Sequence, residues 1–302
     1  MVRGDARRFG FVAATRTYLI ETSVHVVERR KIIAMTQGNL VGRIALVTGS
    51  TSGIGLAIAE RLARDGARVC LHGLGDKEQI HGAIEAVAAG GSDRPQHFDA
   101  DFADGSSIEG LFDAVETRVG SVDILVNSAG IQHVSPVVEF PLERWNAVIC
   151  VNLTAPFLTT KRALPRMLER NWGRIINIAS LSGYVGVPHK AAYVASKHGL
   201  LGLTKVVSSE TATTGITCNA VCPGWVLTPL VERQIEVLAE RDGVDMATAR
   251  HALVAGSHPS GEFVKPQQIA GLVSFLCSPD ADEVRGTGWH VDGGRLARSG
   301  PN

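Results

Sequence analysis

The sequence predicts an α/β protein built as a doubly wound parallel sheet of about seven strands with helices on both faces. Two observations predict it. Short apolar runs alternate with helical patterns from residue 43 to residue 291, and the runs are apolar throughout rather than at every second position. Strands buried on both faces by crossover helices read that way. The first run also ends in Thr48-Gly49-Ser50-Thr51-Ser52-Gly53-Ile54-Gly55, with a helical pattern immediately behind it. No linker or internal repeat interrupts the alternation, so one domain is the simplest count.

The elements follow in order. Residues 43–49 form a continuous apolar strand run ending in glycine, and 54–64 carry helical periodicity. Residues 67–73 are strand-like and 77–89 helical; 96–99 make a short strand and 106–119 a helix. Residues 122–127 read as a buried strand. Residues 142–170 are long and helical, interrupted near Asn152 and with Pro165 inside. Strand 174–179, helix 191–213 and strand 216–222 come next. Residues 229–240 and 246–254 form a helical insertion, a candidate lid near 228–262. Helix 266–277 and a last strand near 289–291 complete the series.

Composition bounds the function. The 302 residues are 45% hydrophobic and 20% charged with no net formal charge, which suits a soluble globular protein with a sizeable core. Balanced charge argues against a nucleic-acid partner. No run of about 18 uncharged apolar residues predicts a membrane span. The five scattered cysteines do not read as a disulfide framework, and a reducing cytoplasm fits them. Cys218 and Cys222 alternate with Ala220 along an apolar run and read as strand core; no metal site is expected.

Residues 1–38 read as an N-terminal extension, disordered or loosely packed, ahead of a domain at 39–302. Within the first 34 residues, Arg3, Arg7, Arg8, Arg16, Arg29, Arg30 and Lys31 face only Asp5, Glu21 and Glu28. A basic targeting segment is one reading. An upstream stretch ahead of a start at Met35 is the other, and the acids and the Val-His-Val-Val run favour it.

The glycine loop is a phosphate cradle by its chemistry. Glycines let backbone approach a ligand closely, and a helix N-terminus offers unpaired N–H groups and the positive end of its dipole. The spacing is G-x-x-x-G-x-G rather than the usual G-x-G-x-x-G of dinucleotide-binding Rossmann folds. The second strand ends Leu71-His72-Gly73-Leu74-Gly75-Asp76. No acid stands at the strand tip for a ribose hydroxyl, and no Arg or Lys stands there or in the loop for a 2′-phosphate. The balance leans to NAD over NADP.

Tyr193 and Lys197 stand four residues apart in Ala-Ala-Tyr-Val-Ala-Ser-Lys-His, on one face of a helix. An ammonium within roughly 4–6 Å lowers a phenol pKa, so the pair is expected to move a proton near neutrality. Tyr184 has the neutral Pro188 at the same spacing.

Taken in order, the glycine loop, Asn127-Ser128-Ala129-Gly130, Asn152, Ser180, Tyr193 with Lys197, and Pro223-Gly224 resemble the short-chain dehydrogenase/reductase family over residues 40–298. The resemblance implies a single-domain Rossmann fold and a set of roles. Tyr193 would donate and accept the substrate proton. Lys197 would lower its pKa and hold the nicotinamide ribose. Ser180 would hydrogen-bond the reacting carbonyl, ahead of its rivals Ser182 and Ser196. Asn152 would hold a water linking Lys197 to solvent. Cofactor contacts implied are Gly49, Thr51, Ser52, Gly53, Ile54 and Gly55 around the phosphates, with Leu74, Tyr193 and Lys197 as further contacts. Asn127, Ser128, Ala129 and Gly130 would lie beside the ribose, and Pro223, Gly224, Val226 and Thr228 at the nicotinamide amide. Asp101 would face the adenine, with a helix cap as its other reading. Ser128 stands where the family more often has a second Asn.

Further stretches resemble the bacterial branch that oxidises D-3-hydroxybutyrate with NAD, among them Gly130-Ile131-Gln132-His133 and Pro223-Gly224-Trp225-Val226-Leu227-Thr228-Pro229-Leu230. That likeness implies Gln132, Lys190 and Gln234 as donors to a substrate carboxylate; for Gln234 a plain helix-surface reading stands equal. Ser182 and Arg295 depart from the branch's His and Trp, with His189 nearby, so a larger or more polar hydroxy acid stays open. A 3-oxoacyl-thioester reductase, a polyol dehydrogenase and a non-catalytic cofactor-binding protein are the alternatives. The family resemblance also implies a homotetramer built on helices 152–170 and 191–213 and the C-terminal strand.

Overall fold

The computed structural model describes residues 39–298 except Ser92; the expected extension at 1–38 lies outside the described residues. Seven strands form one parallel sheet: β1 (Ile44–Val47), β2 (Arg68–His72), β3 (Gln96–Phe98), β4 (Ile124–Asn127), β5 (Gly173–Ile178), β6 (Ile216–Pro223) and β7 (Gly288–Val291). Their order is β3-β2-β1-β4-β5-β6-β7. The chain winds outward from β1, then returns to β4 on the other side of β1. That reversal opens a crevice at the carboxyl ends of β1 and β4, where sheets of this kind bind ligands.

The strand sequences alternate between two cores, and each core wants apolar residues. Ala45, Val47, Ile124, Val126, Ile176 and Ile178 face one layer, packed by Ile58 and Leu62 of α1 (Gly53–Arg64), Val87 of α2 (Lys77–Ala88) and Val273 of α9 (Pro266–Cys277). Leu46, Leu125 and Ile175 face the other, packed by Leu111 and Phe112 of α3 (Ser107–Arg118), Met167 of α5 (Ala155–Glu169) and Val207 of α6 (Ala191–Glu210). Burying each Leu or Ile this way contributes roughly 1.5–3 kcal/mol. Cys218 and Cys222 are buried in β6, as expected of strand core.

The long helical stretch is split. α4 (Leu142–Ile149) runs into a π-helical turn, Cys150–Thr154, and then into α5. The interruption expected near Asn152 is this wider turn, and such turns mark functional sites in many helices. α6 ends at Glu210, three residues short of the expected 213. The insertion is a helix pair, α7 (Pro229–Asp242) and α8 (Met246–Ala255), with its own small core of Val231, Ile235, Ala239, Ala249, Val254 and Phe263. α7 stops at Gly243, whose φ of 62° suits glycine at a helix end. Among the described residues, no helix is long and apolar enough to cross a membrane.

Candidate active site

The phosphate cradle is built by backbone pressed against backbone. Gly49 leaves β1 with φ 63°, and a Cβ there would lie 2.7 Å from Ala129 Cα, just beyond β4. A Cβ on Gly55 would lie 2.2 Å from Gly49 O. Only hydrogen fits at either place. Ser52 precedes α1 in extended conformation, and its hydroxyl does not cap the helix. The helix N-terminus therefore keeps donors for an anion. Thr48 ties the two sides of the crevice: Ser128 N and Ala129 N donate to its Oγ1 at 3.0 and 3.1 Å.

His72, at the tip of β2, braces this loop and is missed by the sequence reading. Its Nε2 lies 3.0 Å from Ala100 O, and Gly49 N donates to its Nδ1 at 3.4 Å. A carbonyl only accepts and an amide N–H only donates, so the ring is neutral with its proton on Nε2. Burial, the ring being 3% exposed, pushes its pKa down to about 4. The only sequence signal was a polar ring in a strand buried on both faces.

Several expected cofactor contacts have other partners. The Asn127 side chain lies in a buried ladder: Thr159 Oγ1 donates to Asn127 Oδ1 at 2.7 Å and Asn127 Nδ2 to Asn177 Oδ1 at 2.9 Å. Asn177 Nδ2 in turn donates to Thr204 Oγ1 at 2.9 Å. What Asn127 offers the crevice is backbone. Asp101 is exposed and accepts Ala103 N–H at 2.9 Å, in a turn ahead of α3. Asp76 caps α2 through Gln79 N at 2.8 Å. Leu74 is 63% exposed.

The four expected catalytic residues converge. Ser180 lies two residues past β5, and its Oγ accepts Ser182 N–H at 3.1 Å. Lys197 Nζ lies 5.6 Å from the Tyr193 ring centroid and donates to Ile178 O at 2.8 Å. Asn152 is fully buried in the π-turn and clamps Ile131, accepting its N–H at 2.8 Å and donating to its carbonyl at 2.9 Å. Asn152 Oδ1 and Lys197 Nζ lie 3.5 and 3.8 Å from where a Gly130 Cβ would stand. A helix without the π-turn would not carry Asn152 into this clamp, and the sequence showed only a break.

The electrostatics differ from expectation. Burial raises the Tyr193 phenol above its ordinary pKa, and the neighbouring Ser180 hydroxyl pulls it back only in part. The Lys197 charge is directed onto the Ile178 carbonyl rather than the phenol oxygen, and burial pushes that ammonium down to about 8. Desolvation outweighs proximity here.

Of the expected substrate contacts, Lys190 is half-buried with its Nζ 5.5 Å from the Trp225 ring centroid, and burial lowers its pKa. Gln132 is exposed beside the clamped Ile131, and Gln234 is half-buried on α7. Among the described residues no hydrogen bond joins either to Lys190. Ser182 is buried, His189 is exposed with φ 65°, and Arg295 is half-buried. Thr228 caps α7 and its Cγ2 lies 3.4 Å from a Gly53 Cβ position, so Thr228 borders the glycine loop. Pro223, Gly224 and Val226 lead from β6 to it.

The cleft fits a dinucleotide: glycines where methyls would clash, and a helix N-terminus without a side-chain cap. Comparisons with known proteins agree. A family model described as enoyl-(acyl carrier protein) reductase matches residues 49–295. The chain is 49% identical over 259 residues to a D-beta-hydroxybutyrate dehydrogenase of Cupriavidus necator, covering 86% of this chain and 100% of that one. It is 44% identical to another of that name from Rhizobium meliloti, over 85% and 99% of the two chains. A crystal structure of an actinorhodin polyketide ketoreductase with NADPH superposes with a TM-score of 0.77 at 41% identity, covering 83% of this chain and 96% of that one. The chain belongs to the short-chain dehydrogenase/reductase family of nicotinamide-dependent oxidoreductases.

Proposed function

We propose that this protein oxidises a short 3-hydroxy acid, D-3-hydroxybutyrate foremost, to its 3-keto acid with NAD. The observation that carries the reading is Tyr193 with the buried Lys197 on one face of α6, Nζ 5.6 Å from the phenol ring centroid, next to Ser180 just past β5. Bound nicotinamide supplies the hydride acceptor. Tyr193 Oη, as phenolate, takes the alcohol proton while the carbon gives up its hydride. Ser180 donates a hydrogen bond to the oxygen as it becomes a carbonyl, and Lys197, whose Nζ lies 5.6 Å from the phenol ring centroid, would hold the nicotinamide ribose. Asn152 holds the Ile131 backbone, and with it the approach to Gln132. The names of the two relatives support the substrate, and Lys190 supplies a cation for its carboxylate. The lack of Arg or Lys in the glycine loop favours NAD over NADP. A cytoplasmic homotetramer is part of this reading; exposed Phe157 on α5 and Val206 on α6 support an interface there.

The test is NAD reduction with D- and L-3-hydroxybutyrate, then longer 3-hydroxy acids. Turnover selective for the D form with NAD is expected. NADPH-dependent reduction of a thioester instead would displace the reading. Tyr193→Phe is expected to lower kcat by about 10³-fold while NAD still binds. Since the phenol sits above its ordinary pKa, oxidation is expected to speed up as pH rises through the alkaline range. A rate falling over that range would remove Tyr193 as the base.

A further inference from the structure

We propose that His258 is the positioning residue of the substrate pocket, fixing the Trp225 backbone and so the ring face beneath the Lys190 ammonium. This rests on the reading of Lys190 as partner of the substrate carboxylate. His258 follows α8 and is 1% exposed. Its Nδ1 lies 2.8 Å from Glu262 O, and Trp225 N donates to its Nε2 at 2.8 Å. The carbonyl can only accept and the amide can only donate, so the ring is neutral with its proton on Nδ1. The tautomer is opposite to that of His72.

The fit around the ring is tight. A Cβ on Gly224 would lie 2.1 Å from His258 Nε2, and one on Gly293 3.1 Å from His258 Cβ. The imidazole thus sits where the exit of β6, the return from α8 and the loop after β7 meet. Trp225 is tied to the same return segment twice more. Val264 N donates to its carbonyl at 2.9 Å, and its Nε1 donates to Ser257 Oγ at 3.2 Å. Lys190 Nζ lies 5.5 Å from the Trp225 ring centroid, a cation over an aromatic face. A buried ring bonded only to backbone is in most proteins a structural bracket. Here one end of the bracket is the residue that carries the Lys190 seat, so its loss is read in substrate recognition.

Two variants separate the ends. His258→Gln can place an oxygen near the Nε2 position, keeping an acceptor for Trp225 N–H. His258→Asn can place its amide near Nδ1, keeping only the Glu262 link. With His258→Asn the KM for D-3-hydroxybutyrate is expected to rise about tenfold, the loss of one buried hydrogen bond, while kcat changes much less. With His258→Gln the KM stays near the wild-type value. Equal KM values in the two variants, or a matching loss of NAD affinity in fluorescence titration, would overturn the proposal. Lys190→Ala is the control. If it raises KM and the Asn–Gln contrast is missing, only the role of His258 fails. If it leaves KM unchanged, the carboxylate reading fails and takes the proposal with it. Should either variant not fold, nitrogen-15 NMR of histidine-labelled wild-type protein decides: a proton on Nδ1 of His258 supports the grip, and one on Nε2 overturns it.

Discussion

At the tips of β1 and β4, the crevice is made by main chain. Gly49 and Gly55 let strand, loop and helix meet with no side chain between them, and the buried His72 ring props the loop from behind. Around Trp225 the opposite holds. Side chains make the contacts, an imidazole, an indole and an ammonium, on a segment whose helices share a core of only a few apolar residues. Backbone contacts suit a ligand part that is the same in every reaction, the phosphates. Side-chain contacts suit the part that differs, the substrate. The first region tolerates almost no substitution, whereas the second can change one residue at a time.

That contrast can be broken. Gly55→Ala would push a methyl to 2.2 Å from Gly49 O, a backbone atom that cannot swing aside. NAD affinity is expected to fall about 100-fold in calorimetric titration, with a lower urea midpoint. Wild-type affinity in that variant would show that the loop is not rigid and would dissolve the comparison. His72 gives a smaller effect that depends on pH. Its native pKa of about 4 lies below the ordinary 6.5, so the unfolded chain binds the extra proton between those values. Stability is therefore expected to be fully present above pH 6.5 and to fall by about 3 kcal/mol as pH drops to 4. Urea titrations at stepped pH would show this slope, and His72→Gln should flatten it. An unchanged slope would assign the acid loss to other groups. Asp76→Ala is the mildest case. It removes the α2 cap and should cost about 1 kcal/mol while leaving NAD affinity alone. Weakened NAD binding there would move Asp76 from the helix into the ribose site.

Much of this was legible in the residues themselves. The doubly buried strands, the glycine loop and the Tyr193–Lys197 spacing each carry a periodicity or a chain order, and these survive without coordinates. Asn152 could be placed at an interruption but not in a clamp, because the partner is the backbone of Ile131, about 20 residues away in sequence. Asn127 could be assigned to the crevice by motif, yet its side chain points into the ladder with Thr159 and Asn177, a choice made between strands and helices. His72 and His258 carried no motif at all.

The sequence alone determined the layers, the order of the elements and the types of reacting group, since local pattern and residue chemistry suffice for those. Only the tertiary structure decided how far each group is shielded from water and which way each ring and amide turns. Those depend on partners distant in the chain. Tyr193 shows the consequence: its neighbour one helical turn away promised a more acidic phenol, whereas burial pushes its pKa up.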